Sequence, residues 1–237
     1  MKVSQINLPK PAIEFLHKIG YDELYPTQED SVKAGILEGK SVLVSAPTAS
    51  GKTLIAILAM INHLSNKKGK IVYLSPLRAL AAEKFSEFQQ LESVDFGRKI
   101  RAQISTGDFD NADKNLEKSD IIVLTNEKMD SLIRHGAEWL DDVSLVIVDE
   151  VHLLGDRDRG PTLEIVLTKL KLLQRKPQIL ALSATVTNAK EISSWIGCDL
   201  VERDWRPVPL WEGGYDGGTV RMQNGDKFEV ETSIRGP

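Results

Sequence analysis

The chain of 237 residues contains a single cysteine, Cys198. No intrachain disulfide can form, and a reducing, cytoplasmic compartment is the simplest expectation. It also lacks a long apolar run. The longest, Leu54 to Ile61, falls far short of the roughly 20 residues that a membrane-spanning helix needs, so no membrane partner is expected. The first residues, MKVSQINLPKPAIEF, have no apolar stretch of signal-peptide length. Basic charge is not in excess either. The net charge of −4 excludes a basic tail that coats nucleic acid, but it leaves room for a local positive groove. Glycine and proline do not dominate, and there is no internal repeat or low-complexity tract. With 41% hydrophobic and 27% charged residues, the composition is that of an ordinary soluble globular chain, here expected to be monomeric.

What is present is a recurring pattern. Short β-branched apolar runs end in polar or turn-like stretches: SVLVSAP (41–47), KIVYLSP (70–76), RAQISTG (101–107), DIIVLTN (120–126), LVIVDE (145–150) and QILALSAT (178–185). Runs of this kind suit strands buried on both faces of a parallel sheet. Helical segments are expected between them, over Thr53–Asn66, Ala79–Leu91, Asn111–Lys118, Glu127–His135 and Thr162–Gln174. Strand alternating with helix predicts an α/β fold, a doubly wound, mostly parallel sheet. The polar clusters all follow strands, and in such a sheet ligands bind at the carboxyl ends. From Arg206 on, the chain is rich in glycine and proline, and the Asn224-Gly225 turn signal predicts a β-hairpin. The expected organisation is therefore a domain over residues 1–205 and a linker or hairpin extension over 206–237.

Ala46-Pro47-Thr48-Ala49-Ser50-Gly51-Lys52-Thr53 follows an expected strand and opens an expected helix. That context makes it a P-loop, whose backbone N–H groups and helix N-terminus hold a triphosphate. Lys52 would reach the β- and γ-phosphates of ATP, and the Thr53 hydroxyl would ligate Mg²⁺. Ala46 stands where the general pattern has glycine. Asp149-Glu150 at the end of LVIV supplies the second carboxylate that a P-loop enzyme requires, with Asp149 on the metal side and Glu150 as general base. His152 would project into the same crevice, near the γ-phosphate. Arg157, Asp158 and Arg159 are expected to form a surface ion pair of little energetic weight, or to steer a partner domain. The Lys67, Lys68 and Lys70 cluster reads as a solvated loop.

In this order APTASGKT, DEVH and Ser183-Ala184-Thr185 resemble motifs I, II and III of superfamily 2 DExH helicases, of the Ski2-like branch. LYPTQEDSV (24–32) resembles the Q motif and SPLRALAAEKF (75–85) motif Ia. The stretch from Asp149 to Glu164 is similar to the motif II region of Hel308-type archaeal DNA helicases. The resemblance implies the first RecA-like domain of an ATP-dependent DNA helicase, a 3′-to-5′ translocase on single-stranded or forked DNA. It implies that Gln28 meets the adenine edge, with Tyr21 or Tyr25 near the base. It also implies that Ser75, Arg78, Thr106, Gly107, Thr125 and Lys128 touch the nucleic-acid backbone, and that Ser183 and Thr185 couple ATP state to nucleic-acid grip. Capping of the following helix is the competing role for the Ser and Thr residues.

No counterpart of motifs IV–VI occurs in these residues, and RPVPLWEG (206–213) resembles the crossing toward a second RecA-like domain. The expectation is half a motor, which binds ATP but turns it over little and does not unwind alone. Half of a Ski2-like RNA helicase and a non-catalytic ATP- or nucleic-acid-binding regulatory module are the alternatives. Glu150 speaks against the second, since a pure binder needs no water-activating carboxylate.

Overall fold

The apolar runs become strands because both of their faces are covered. The computed structural model describes residues 1–66, 69–107 and 113–229. It contains a sheet of β1 (Val42–Ser45), β2 (Lys70–Ser75), β3 (Ala102–Ser105), β4 (Ile121–Thr125), β5 (Val143–Val148), β6 (Gln178–Ser183) and β7 (Asp199–Glu202). Their order is β3-β4-β2-β5-β6-β1-β7, and every neighbouring pair is parallel. The helices are α1 (Lys10–Lys18), α2 (Pro26–Lys33), α3 (Lys52–Ser65), α4 (Arg78–Gln89), α5 (Asp113–Leu116), α6 (Asn126–Arg134), α7 (Gly160–Lys171) and α8 (Ala189–Ile196).

Period-two alternation divides each strand between two cores. Val42, Val44, Tyr73, Leu145 and Ile147 join one core with Phe15 of α1, Leu58 of α3 and Phe88 of α4. Leu43, Val72, Leu74, Val146 and Val148 join the other with Met129 of α6, Leu167 of α7 and Ile192 of α8. Helix α3 is buried at every position from Leu54 to Leu64, and its run Leu54–Ile61 is apolar all round, as a buried helix is. Its outer side is covered by α2.

The registers bring the strand ends level. Ser45 pairs with Ser183, Val148 with Ala181, Leu74 with Val148 and Ser75 with Thr125. The polar residues that follow β1, β6, β5, β2 and β4 therefore emerge along one edge of the sheet, where a doubly wound fold keeps its ligands.

Several elements go beyond the sequence expectation. β7 is only four residues long and is a strand because β1 supplies its partner backbone. Helices α1, α2 and α8 are also additional. The helix expected over 111–118 is Asp113–Leu116 among the described residues. Lys67, Lys68 and Asp108 lie outside the described residues.

Met1–Trp205 and the residues from Arg206 on group into two compact units. In the second, β8 (Gly213–Asp216), β9 (Thr219–Met222) and β10 (Lys227–Glu229) form an antiparallel meander. The hairpin at Asn224-Gly225 is the expected one. A second turn at Gly217-Gly218, both at positive φ (54° and 92°), joins β8 to β9, as a two-residue hairpin requires.

Candidate functional site

The P-loop leaves β1 as a continuation of the sheet. Ala46 is fully buried, and its N–H donates to the Ser183 carbonyl at 3.2 Å. Its φ is not positive, so the position has no conformational need for glycine, which explains how Ala46 replaces it. The tight part of the loop comes later. Ala49 (φ 68°) and Gly51 (φ 83°) are left-handed, the geometry that turns successive N–H groups toward an anion. Thr48 and Ala49 are exposed at the mouth, and Pro47 and Ser50 are buried. Lys52 Nζ donates to the carbonyls of Ala46 (2.7 Å) and Pro47 (3.0 Å), so the ammonium lies across the loop from which it springs.

Asp149 is held at three points. Its N–H donates to Leu74 O at 2.9 Å. Its Oδ1 accepts from Glu150 N at 3.0 Å, and its Oδ2 accepts from the Tyr73 hydroxyl at 2.7 Å. Glu150 is left-handed (φ 51°), a conformation that costs a non-glycine residue about 1–2 kcal/mol. This reversal turns the chain from β5 into a 3-10 turn, Val151–Gly155. His152 Nδ1 lies 3.2 Å from Glu150 Oε2. The pair is not aligned as a hydrogen bond, because that ring nitrogen has no hydrogen-bond partner among the described residues.

P-loop, Asp149 and Glu150 share one cavity of about 520 Å³, which Tyr21, Tyr73 and Lys84 also line. Lys84 of α4 donates to Thr53 Oγ1 at 3.1 Å. The donor set suits Mg²⁺, which takes one or two carboxylates plus substrate phosphates rather than an all-protein cage. Thr53 and Asp149 supply hydroxyl and carboxylate, and no cluster of three or more His, Cys, Asp or Glu that could hold a metal occurs among the described residues. The buried hydroxyls of Ser50, in the loop, and Ser183, at the end of β6, have no hydrogen-bond partner there. Each hydroxyl keeps a donor that a further polar atom could take. Ser183 is fully buried beside the loop, and Thr185 is exposed.

Gln28 is 1% exposed. Its Oε1 accepts from Tyr25 N at 2.7 Å and its Nε2 donates to Gly51 O at 3.0 Å. The amide thus ties the start of α2 to the P-loop, with one N–H and one lone pair left over. Of the two tyrosines considered for the base, Tyr21 lines the cavity, and burial raises its pKa above the usual phenol value. Tyr25 packs against Trp205 with ring centroids 4.9 Å apart.

A second cavity of about 330 Å³ follows β2 and β4, lined by Arg78, Thr106, Thr125, Lys128 and Arg159 among others. The sequence candidates divide here. Arg78 is exposed, and Thr106 and Gly107 are half-buried. Ser75, Thr125 and Lys128 are at most 4% exposed. The Thr125 hydroxyl caps α6 by accepting from Lys128 N at 3.3 Å, and Ser75 Oγ donates to Leu77 O at 3.3 Å. For these two the helix-capping or local role is the one seen. Arg159 is the cation that the sequence reading left outside the groove. Among the described residues it forms no side-chain ion pair; instead Asp156 Oδ1 accepts from the N–H groups of Asp158 and Arg159. Tyr73 and Lys84 were likewise not legible, since only register and packing bring them to Asp149 and Thr53.

Residues 25–192 match the family model of DEAD/DEAH box helicases. Among curated relatives, the ATP-dependent DNA helicase Hel308 of Thermococcus kodakarensis is 47% identical over 95% of this chain and 19% of its own length. That of Pyrococcus abyssi is 45% identical over 95% of this chain and 30% of its own length. The chain thus spans between about a fifth and a third of these relatives. Two crystal structures of the DUF1998 helicase MrfA, one bound to DNA, share the fold with a TM-score of 0.70 and 24% identity. They cover 85% and 84% of this chain, and 33% and 30% of the chains compared. No helix among the described residues is long and apolar enough to cross a membrane.

Proposed function

This chain belongs to the DEAD/DEAH box helicase family, and we propose that its 237 residues are the ATP-binding motor domain of an ATP-dependent DNA helicase. The observation that carries the reading is the convergence of a left-handed P-loop and the Asp149-Glu150 pair on one cavity at the carboxyl edge of the sheet. The similarity to Hel308 DNA helicases supports DNA as the substrate.

In this reading the P-loop N–H groups and Lys52 bind the phosphates of ATP, and Thr53 and Asp149 hold Mg²⁺. When bound, the metal neutralises charge on the β- and γ-phosphates. Glu150 takes the proton of the attacking water, and His152, beside it, contacts the γ-phosphate. Gln28 presents its remaining N–H and lone pair to adenine. The open groove with Arg78, Thr106, Gly107 and Arg159 grips the phosphate backbone without reading bases. Ser183 and Thr185 link the two sites. Translocation from 3′ to 5′ on single-stranded or forked DNA belongs to the same reading.

These 237 residues carry no arginine in the role of motifs IV–VI, and such an arginine is worth roughly 10³–10⁵ in rate. The chain by itself is therefore expected to bind ATP and turn it over very slowly. The test is ATP turnover with and without single-stranded DNA, beside a fluorescent-ATP titration. Binding with negligible turnover is the expected result; brisk DNA-stimulated turnover would overturn the half-motor reading. Competition between single-stranded DNA and RNA of one sequence tests the DNA assignment.

A further inference from the structure

Helix α4 enters the nucleotide cavity through Lys84, which lies in the stretch that resembles motif Ia but to which that resemblance assigns no role. Lys84 Nζ donates to Thr53 Oγ1 at 3.1 Å, to Glu87 Oε1 at 2.8 Å and to Glu83 Oε1 at 3.4 Å. Its side chain is 14% exposed. An ammonium has three donors and no acceptor, and a hydroxyl has two lone pairs. All three donors are thus engaged, one of them on the oxygen that the reading above gives to Mg²⁺.

We propose that Lys84 competes with Mg²⁺ for the Thr53 hydroxyl, as a cation that holds this oxygen in the present structure and yields it to the metal when MgATP binds. The inference rests on Thr53 being a metal ligand. A Mg²⁺–oxygen bond is about 2.0–2.1 Å, so an ammonium on the same oxygen would sit against a second, stronger cation. The ammonium has somewhere to go, because Glu87 and Glu83 keep two of its three bonds after the bond to Thr53 breaks. Burial opposes its charge, yet the carboxylates of Glu87 and Glu83 outweigh burial and raise its pKa above the usual lysine value.

Because the Lys84–Thr53 bond must break for the metal to bind, removing it strengthens the metal's contribution to nucleotide affinity. The experiment compares the Kd of fluorescent ATP in EDTA with that in saturating Mg²⁺, for the 237-residue chain and for Lys84→Met, Glu87→Gln and Thr53→Val. Metal-free ATP is more negative than MgATP and loses more when a cation is removed, so Lys84→Met is also made in the Thr53→Val background, where it changes the ratio of the two Kd values through charge alone. With Thr53 present the ratio is expected to rise about threefold or more beyond that charge effect, as expected for a hydrogen bond from a charged donor. It is expected to fall in Glu87→Gln, where the ammonium has a poorer alternative anchor. Thr53→Val should reduce the metal dependence. If Thr53→Val keeps full metal dependence, the assignment of Thr53 as ligand fails. If Thr53→Val reduces it but Lys84→Met raises the ratio no more with Thr53 present than in the Thr53→Val background, the role of Lys84 alone fails.

Discussion

The hydroxyl of Tyr73, in the middle of β2, donates to Asp149 Oδ2 at 2.7 Å across to the end of β5. Tyr73 is 1% exposed and also packs edge-on against Phe88, ring centroids 4.8 Å apart. The ring is anchored in the core while its polar tip reaches the carboxyl edge of the sheet. Asp149 therefore has one carboxylate oxygen oriented by the core itself, and the other by the N–H of its own neighbour.

Tyr73→Phe keeps the ring and removes only that bond. The loss of a hydrogen bond to a carboxylate should lower stability by about 1.5–3 kcal/mol and weaken MgATP binding more than metal-free ATP binding. Chemical denaturation and fluorescent-ATP titration would read the two effects.

The same residue gives a pH signature. Burial, and then the Asp149 charge, raise the Tyr73 pKa well above the ordinary phenol value. The folded chain keeps a proton that the unfolded chain releases above pH about 10. This contribution to stability is complete below that pH and declines as the pH rises further. Denaturation midpoints between pH 8 and about 11 should fall more steeply for the native sequence than for Tyr73→Phe.

Gly51 and Ala49 share a left-handed backbone but not the same surroundings. A Cβ on Gly51 would lie 2.1 Å from Gln28 Nε2 and 3.2 Å from Tyr25 Cδ2, at φ +83°. Gly51→Ala should cost about 1–3 kcal/mol and displace Gln28, weakening ATP binding about tenfold or more. Ala49→Gly relieves a left-handed alanine but adds freedom to the unfolded chain. These effects oppose each other at about 1 kcal/mol each, so melting temperature and ATP affinity should stay close to the parent's.

Gln28 is tested by its two ends. Gln28→Glu retains an acceptor for Tyr25 N but sets a carboxylate against the Gly51 carbonyl in place of a donor. Gln28→Ala loses both bonds without that repulsion. Isothermal titration with ATP should rank the parent above Gln28→Ala, and Gln28→Ala above Gln28→Glu. Equal affinities for all three would contradict a link between α2 and the loop.

In the groove, Arg78→Ala and Arg159→Ala should each weaken single-stranded DNA binding to a similar degree on every sequence. Each should reduce the slope of log K against log salt by about 1. A titration series in potassium chloride distinguishes this from a loss of base contacts, which would change sequence preference and leave the slope alone.

Much of the fold was legible in the sequence because its signals are local. β-branched runs such as Ile121–Thr125 cannot be satisfied outside a covered sheet, and the Gly-Lys-Thr turn between an apolar strand and an apolar helix carries its own context. Even there local signals stopped short. Asp199–Glu202 has no pattern long enough to declare a strand and becomes one on the edge that β1 offers. Ser75 and Thr125 follow strands like any phosphate-binding hydroxyl, yet both turn inward to bonds near their own backbone.

The sequence alone determined the parallel α/β architecture, the P-loop and the order of the motifs, since residue type, spacing and period set these within a few turns of chain. The tertiary structure alone decided which distant side chains meet. Tyr73 reaches Asp149, Lys84 reaches Thr53 and Gln28 reaches Gly51 across 76, 31 and 23 positions. Strand register and helix packing place them within 3.1 Å or less, and hydrogen bonds depend on distances in space that no local pattern encodes.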